Sequence, residues 1–327
     1  MGEFGLIERL AKAVQASRPD SLIVGIGDDA AAWSTKGGAD SIVLATTDTL
    51  VEGVHFLPER AGWRDLGWKA LAVNVSDIAA MGGTPRFALV TLALPPETPL
   101  EAVDELYAGM QECGEEYGVA IVGGDVVRAA QTMVTVAVLG HGERDDEGRP
   151  QLMRRDAARA GHVIAVTGSL GDSAAGLRRL QDGAPPDDPL VRAHLRPRPP
   201  LAAGRQSVRL GVPCAIDVSD GLLQDLGHIC DLCGLGAVVR ADAVPLSQEL
   251  RAAFPDEALS LACSGGEDYE LVLIAQQETM RLLRASAQVR VTVIGEMDEH
   301  PEQRPRLVDG SGKEIALAGA GWDHLRA

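Results

Sequence analysis

Aromatic residues are scarce in this chain, at 3% of the sequence against a hydrophobic total of 46%. A core of any size must therefore be built from Ala, Val, Leu and Ile, which suits helices packed on sheets and argues against an aromatic-rich binding module. Basic residues are also in deficit: 30 Lys and Arg against 47 Asp and Glu leave a formal net charge of −17. Nucleic acid and anionic membrane surfaces both need clustered cations, so neither is an expected partner. No run approaches the roughly 18 apolar residues of a membrane span. Cysteine is limited to five residues, an odd number without a secretory signal, which favours reduced thiols. Cys230 and Cys233 form a CxxC inside a predicted helix with no second pair to complete a zinc site, so they read as two core-facing small residues. Two nucleotide signatures are missing as well. No GxxxxGK followed by Ser or Thr excludes a P-loop, and no GxGxxG opens a helix behind a strand.

The 327 residues exceed the roughly 250–300 at which a single core stops growing, so two domains are expected. The charged, turn-rich stretch Arg144–Pro150 marks the boundary, giving units 1–148 and 149–327. The opening MGEFGLIERLAKAV carries Glu3 and Glu8 and reads as an amphipathic helix over Glu3–Ser17 rather than a signal peptide, so a cytoplasmic location is expected. Strands are predicted at Ser41–Thr47, Pro85–Leu94, Val119–Val122, Thr132–Leu139, His162–Thr167, Cys214–Val218, Ala237–Arg240, Leu271–Ala275 and Val289–Ile294. Helices are predicted at Trp63–Met81, stopped by Gly82-Gly83, and at Leu100–Tyr117, Gly171–Gln181, Leu201–Leu210 and Leu222–Leu235. This mixture indicates an α/β or α+β fold in which helices cover one side of a sheet. The two halves share a similar layout without a convincing sequence repeat.

What the chain does have is five short acidic segments bordering hydrophobic runs: GIGDDAA (Gly25–Ala31), TTDT (Thr46–Thr49), NVSD (Asn74–Asp77), GGD (Gly123–Asp125) and IDVSDG (Ile216–Gly221). They fall where strands stop and helices start, the places where α/β folds assemble ligand sites. Taken singly, Asp28, Asp29, Asp48, Ser219 and Asp220 could each be a turn or cap residue. Together they supply carboxylate and hydroxyl oxygens without nitrogen or sulfur, a donor set for a hard cation such as Mg²⁺ and not for zinc. Carboxylates gathered in one cleft otherwise repel. In the predicted helix around Asp77, Leu71, Val75 and Ile78 form an apolar stripe while Asn74 and Asp77 share another face. Small and apolar neighbours cover that helix on most sides, and a covered aspartate needs a partner. The glycine-rich segments Gly123–Asp125 and Gly168–Gly176 could present backbone N–H groups to phosphate oxygens.

The motifs GEFGLI, GIGDDAA, TDTLVEGVHF, KALAVNVSDIAAMGG, GGD, TGSLGDSAAGL, AIDVSDGLLQDL, SGGEDYEL and GWDH, in this order from Gly2 to about His324, resemble the thiamine-monophosphate kinase family. That family belongs to the aminoimidazole ribonucleotide synthetase (PurM-like) superfamily. The resemblance implies an N-terminal α/β domain that dimerises through its sheet, a C-terminal α+β domain, and transfer of the γ-phosphoryl group of ATP to thiamine monophosphate, yielding thiamine diphosphate. It implies several Mg²⁺ ions held by Asp29, Thr46, Thr47, Asp48, Asp77, Asp125, Asp217 and Asp220, with Asp48, Asp77, Asp125 and Asp220 central to catalysis. It implies nucleotide contacts from Tyr107, Gly124, Asp125, Arg154 and Ser219, and contacts to thiamine phosphate from His55, Glu267 and Trp322. An indole suits a cationic thiazolium ring. The implied partners are ATP, thiamine monophosphate and a second copy of the chain.

Two departures stand out. GGDVVR (Gly123–Arg128) replaces the family's GGDTTR, and RRDA…GH replaces RSGA…GD, which leaves Arg154 and Arg155 ambiguous by one register. The acceptor is a phosphate monoester, mostly dianionic at neutral pH, so direct in-line transfer needs no general base and no covalent intermediate. Two alternatives stay open. Another ATP-using synthetase of the superfamily should lack the pairing of GEDYE with GWDH, and a non-catalytic binding protein would bind without releasing ADP.

Overall fold

The computed structural model describes residue 7 and residues 20–35, 42–302 and 304–317. The helix expected over Glu3–Ser17, apart from Ile7, and Trp322 lie outside the described residues. The chain is an α/β (α+β) protein built on two sheets. The first contains β1 (Leu22–Val24), β2 (Ala31–Ser34), β3 (Ile42–Val51), β4 (Thr84–Leu94), β5 (Ala120–Arg128), β6 (Met133–Arg144) and the short β7 (Pro150–Gln151). Its order is β1-β2-β3-β6-β4-β5, with β7 paired to β6. Helices α1 (Trp63–Ala80) and α2 (Leu100–Tyr117) accompany this sheet. The second comprises β8 (Val163–Thr167), β9 (Cys214–Asp217), β10 (Gly236–Arg240), β11 (Leu271–Ala275), β12 (Val291–Asp298) and β13 (Arg306–Val308), in the order β13-β10-β12-β8-β11-β9. Its longer helices are α3 (Asp172–Gln181), α4 (Leu201–Arg209), α5 (Leu222–Cys233) and α6 (Gln277–Ser286).

Three expectations about element ends change. Strand β3 continues to Val51 rather than stopping at Thr47, because it pairs with β6 along its whole length, from Ile42 opposite Gly142 to Val51 opposite Met133. Asp48 therefore sits within a strand. The GGD segment is not a loop but part of β5, paired in parallel with β4. The stretch Arg144–Pro150 closes a hairpin, since Glu143 pairs with Gln151 in the first sheet.

Helix α1 is the centrepiece. It contacts β3, β4 and β6 on one side, α2 and α4 on others, and β9 of the second sheet. Surrounded in this way, it reads as apolar nearly all round, and even Lys69, Asn74 and Ser76 are buried. The approach of α2 is close enough to demand glycine: a Cβ at Gly67 would lie 1.9 Å from the Leu106 carbonyl oxygen, and one at Gly109 would lie 1.8 Å from that of Arg64. The helix ends where Gly82 (φ 72°) and Gly83 turn back to donate to the Ala79 and Ile78 carbonyls. Strand β11, LVLIA, is buried on both faces: Val272 and Ile274 enter the core beneath α5, while Leu271, Leu273 and Ala275 meet Ala79 and Ala80 of α1. Cys230 is buried in the first of these cores, as expected for a small core residue, and all five cysteines are free thiols.

At the end of β8, Thr167 donates its hydroxyl to Glu270, and burial followed by the charge of Asp172 pushes the Glu270 carboxyl up to about 7 from an ordinary 4.5. Below pH 4.5 the group is protonated in folded and unfolded chains alike. Between pH 4.5 and 7 only the folded state retains the proton, so stability falls as pH rises through that window and is level above it. A tenfold change in proton affinity corresponds to about 1.4 kcal/mol, and Glu270 keeps some solvent contact, so roughly 2 kcal/mol is at stake. Glu270→Gln should shrink the difference in urea stability between pH 5 and pH 8 by about that amount. An unaltered difference would reject this account.

Candidate active site

A cavity of about 700 Å³ opens between the two sheets, walled by β3, α1, the Gly25–Ala31 segment, the end of β9 and the segment Gly266–Tyr269. Period-two alternation points Thr46 and Asp48 of β3 inward with Ile42, Leu44 and Leu50. Thr46 donates its hydroxyl to Asp77 Oδ2 at 2.5 Å, joining β3 to α1. One residue earlier on α1, Ser76 donates to Asp217 Oδ2 at 2.7 Å, joining α1 to the second sheet. One carboxylate oxygen each from Asp29, Asp77 and Asp217 lie within 4.8 Å of one another. Asp29, Thr46, Thr47, Asp48, Asp77, Asp217, Ser219 and Asp220 all line this cavity. Thr47 does so from the opposite side of β3, with its hydroxyl donated to the Val136 carbonyl.

The electrostatics follow from that crowding. Burial, then the charges of Asp48, Asp217 and Asp29, hold the Asp77 carboxyl well above its ordinary range. Burial and the charge of Asp29 do the same to Asp217. Asp28 is pushed up to about 7 by burial and by Asp29. Compensation comes from Arg155, whose Nε and Nη2 donate to the two oxygens of Asp29 at 3.1 and 2.6 Å. Burial opposes the guanidinium charge, but Asp29, Asp217 and Asp28 outweigh it and raise its pKa further. An oxygen-only donor set with more negative charge than one arginine can balance fits a divalent hard cation.

Of the two neighbouring arginines, Arg155 lines the cavity and Arg154 does not. Arg154 is extended (φ −140°, ψ 144°), so neighbouring side chains diverge, and it pairs outside the cavity with Asp156 at 2.5 Å. Tyr107 packs on the first core from α2 and does not line the cavity. Gly124 and Asp125 also lie away from it, on edge strand β5. The row Thr49–Thr135–Thr91–Asp125 crosses three strand spacings, roughly 14 Å at about 4.8 Å each. Gly124 is required by packing, since a Cβ would lie 1.7 Å from the Val90 carbonyl oxygen. Four amides of the Gly168–Gly176 segment, which could have faced phosphate, are spent internally: Gly168 and Leu170 donate to the Arg290 and Pro245 carbonyls, and Gly171 and Ser173 to Asp268.

His55 and Glu267 enter the same cavity from a different quarter. His55 accepts the Val51 amide on Nδ1 at 3.0 Å, which puts the proton of the neutral ring on Nε2. Glu267 adopts a left-handed backbone (φ 65°), as does Tyr269 (φ 52°), a strained arrangement that clusters at functional sites. Glu267 meets Lys69 Nζ at 2.7 Å and His194 Nδ1 at 3.3 Å. Burial opposes ionisation of Glu267, but the charge of Lys69 and its hydrogen bond outweigh it and lower its pKa. Burial and Lys69 drive His194 down to about 3, so its ring is neutral. Sequence reasoning missed Lys69, His194 and Tyr269, and left Arg155 open beside Arg154. Lys69 left a trace, as one of four lysines in the sequence and the only charge between Asp65 and Asp77 of a helix. Apolar side chains, among them Leu50, Phe56, Leu66, Leu177, Leu180 and Leu195, complete the wall.

Family models of AIR synthase related proteins match both halves, the N-terminal domain over residues 27–143 and the C-terminal domain over residues 159–308. Thiamine-monophosphate kinase of Bacillus subtilis is 34% identical over 336 residues, covering 100% of both chains. The Salmonella typhimurium enzyme of that name is 39% identical, covering 99% of this chain and 98% of its own. The chain belongs to the thiamine-monophosphate kinase family. A solved structure of AaThiL complexed with AMPPCP and TMP superposes with a TM-score of 0.85 at 31% identity, covering 99% of this chain and 97% of that one. Hydrogenase maturation protein HypE in complex with ATP, at 19% identity and a TM-score of 0.68, shares the fold. As a family member the chain is a two-domain α/β kinase, and among its described residues no helix is long and apolar enough to cross a membrane.

Proposed function

We propose that this chain transfers the γ-phosphoryl group of ATP to thiamine monophosphate, making thiamine diphosphate by direct in-line displacement. The observation that carries this reading is the convergence of Asp29, Asp77 and Asp217, from three separate segments, within one cavity of a member of this family. Asp29, Thr46, Thr47, Asp48, Asp77, Asp217 and Asp220 would hold Mg²⁺. Bound there, the metal supplies charge neutralisation for both phosphorylated ligands on a protein of net charge −17. Arg155 anchors Asp29 and offers the cavity its guanidinium. His55 presents Nε2–H, and Glu267, ionised between Lys69 and His194, faces the cationic ring of the substrate; the apolar wall takes its uncharged part. Trp322 is assigned to the same ring from the tail.

Gly124, Asp125 and Tyr107 are assigned to a site completed by a second copy. The face of the first sheet turned away from α1 and α2 carries Phe87, Leu89 and Val127, exposed by 52%, 43% and 44%, beside the edge strand bearing Asp125. Such a patch on a sheet face suits a two-fold dimer, in which β5 of each protomer can approach the partner's β3. We take the first sheet, β1 to β7 with its helices, as the dimerising unit and the second sheet with its helices as the other. Leu89→Glu should therefore give a folded monomer by light scattering with little turnover. An active monomer would reject the shared site.

The test of the activity is incubation with ATP, Mg²⁺ and thiamine monophosphate, followed by mass detection of thiamine diphosphate and ADP. Free thiamine should be a poor acceptor, because it lacks the attacking phosphate. Binding of both ligands without product would leave a non-catalytic binding protein as the function.

A further inference from the structure

The turn Val218–Gly221 joins β9 to α5 and carries Ser219 and Asp220 into the cavity, next to Asp217. Its backbone is held on two sides. The Val218 and Ser219 carbonyls accept the amides of Tyr269 and Glu267 at 2.9 and 2.7 Å. This contact is intimate, for a Cβ at Gly266 would stand 2.3 Å from the Ser219 carbonyl oxygen. On the other side, Oδ2 of Asp225 accepts three successive amides, from Ser219 and Asp220 at 3.1 Å each and from Gly221 at 3.0 Å. Asp225 is 2% exposed and does not line the cavity.

Three consecutive N–H groups converging before a helix form the concavity in which many α/β proteins seat a phosphate or another anion. Here the chain's own carboxylate is in that seat. We infer that Asp225 is a positioning residue: it locks the turn from beneath so that Asp220 and Ser219 point at the cavity, and it occupies the anion-binding nest that a ligand phosphate would otherwise enter. The turn is thereby left with side-chain oxygens to offer a ligand, and a phosphate meeting them requires a cation between. This inference rests on the metal-dependent reading of the cavity. Asp225 is also near Asp220 and His228, with ligand atoms within 4.8 Å, but its engaged Oδ2 marks it as a support for Asp220.

The test uses Asp225→Asn, which keeps an oxygen acceptor of the same size, and Asp225→Ala, which removes it. Amide hydrogen exchange of the full-length protein without metal or nucleotide reads the turn directly. Exchange at Ser219, Asp220 and Gly221 should be slow in the parent, faster in the Asn variant and fastest in the Ala variant, while β9 amides stay protected. Mn²⁺ alone, titrated by electron paramagnetic resonance, should bind about 10–100-fold more weakly to the Ala variant, as for other residues that orient metal ligands, with part of the loss restored by Asn. Unchanged exchange in the variants, or faster exchange with unchanged Mn²⁺ affinity, would overturn the inference, and should the Ala variant not fold, the Asn variant is judged by the same two criteria. A parent that binds Mn²⁺ but makes no thiamine diphosphate would defeat the proposed activity and leave both readouts of Asp225 intact. A parent that binds no Mn²⁺ would overturn the inference as well.

Discussion

Asp77→Asn should lower turnover by about 10²–10³ or more while making the metal-free protein more stable. Two opposed signs are expected from one substitution because Asp77 serves the loaded site and burdens the empty one. Without a cation its carboxyl sits under burial and the charges of Asp48, Asp217 and Asp29, all of which oppose its ionisation. Asparagine keeps the shape and can still accept the Thr46 hydroxyl, so the packing of α1 on β3 survives. Relief of repulsion worth about 1–2 kcal/mol corresponds to a rise of a few degrees in melting temperature for a domain of this size. With Mg²⁺ present the order should reverse, since the parent gains stability by binding and the variant gains less. Thermal melts with and without Mg²⁺, beside turnover at saturating ATP, decide the matter. A variant that turns over normally, or that melts lower than the parent without metal, contradicts the assignment.

Arg155→Met should have the largest effect on stability, about 3–5 kcal/mol, because it leaves a buried carboxylate without its partner. The Asp29 side chain is fully buried and receives two hydrogen bonds from the Arg155 fork. The same residue donates its amide to Asp28 and accepts the Cys214 and Cys233 thiols on its carbonyl, so the backbone there is pinned whichever side chain it carries. The damage is therefore chiefly one of charge. Mg²⁺ should recover part of it by taking the place of the guanidinium. Lysine should be a poor substitute, having no planar fork to match both oxygens. Urea unfolding at several Mg²⁺ concentrations tests all three statements. Equal stability of Met variant and parent without metal would show that Asp29 does not depend on Arg155.

Local signals were reliable where they rested on local causes. The apolar run Leu271–Ala275 is a strand with those limits, Leu100–Tyr117 is a helix with those limits, and Gly82-Gly83 stops α1. In each case periodicity or backbone freedom is a property of the residues themselves. Such signals failed where strand pairing extended an element past its local limits, as in β3 beyond Thr47 and β5 through GGD. They also missed the cations. Nothing in the pattern around Arg154-Arg155 tells which one meets Asp29, since that depends on a contact between residues 126 positions apart. The Gly168–Gly176 loop shows the converse error. Its composition suits a phosphate cradle, yet Asp268 takes the Gly171 and Ser173 amides from nearly a hundred residues downstream.

By itself the sequence determined the kind of chemistry available: an oxygen-only set of donors, an excess of negative charge that calls for a cation, an aliphatic core and the strand and helix inventory of an α/β chain. Only the tertiary structure decided which carboxylates share a cavity, that Arg155 rather than Arg154 balances them, that Lys69 holds Glu267, and that Asp125 stands apart on an edge strand. The reason is physical. Donor type and hydrophobic period are carried by neighbouring residues, whereas burial, repulsion and pairing exist only once α1 has been enclosed between two sheets and Ser76 has met Asp217, 141 residues away.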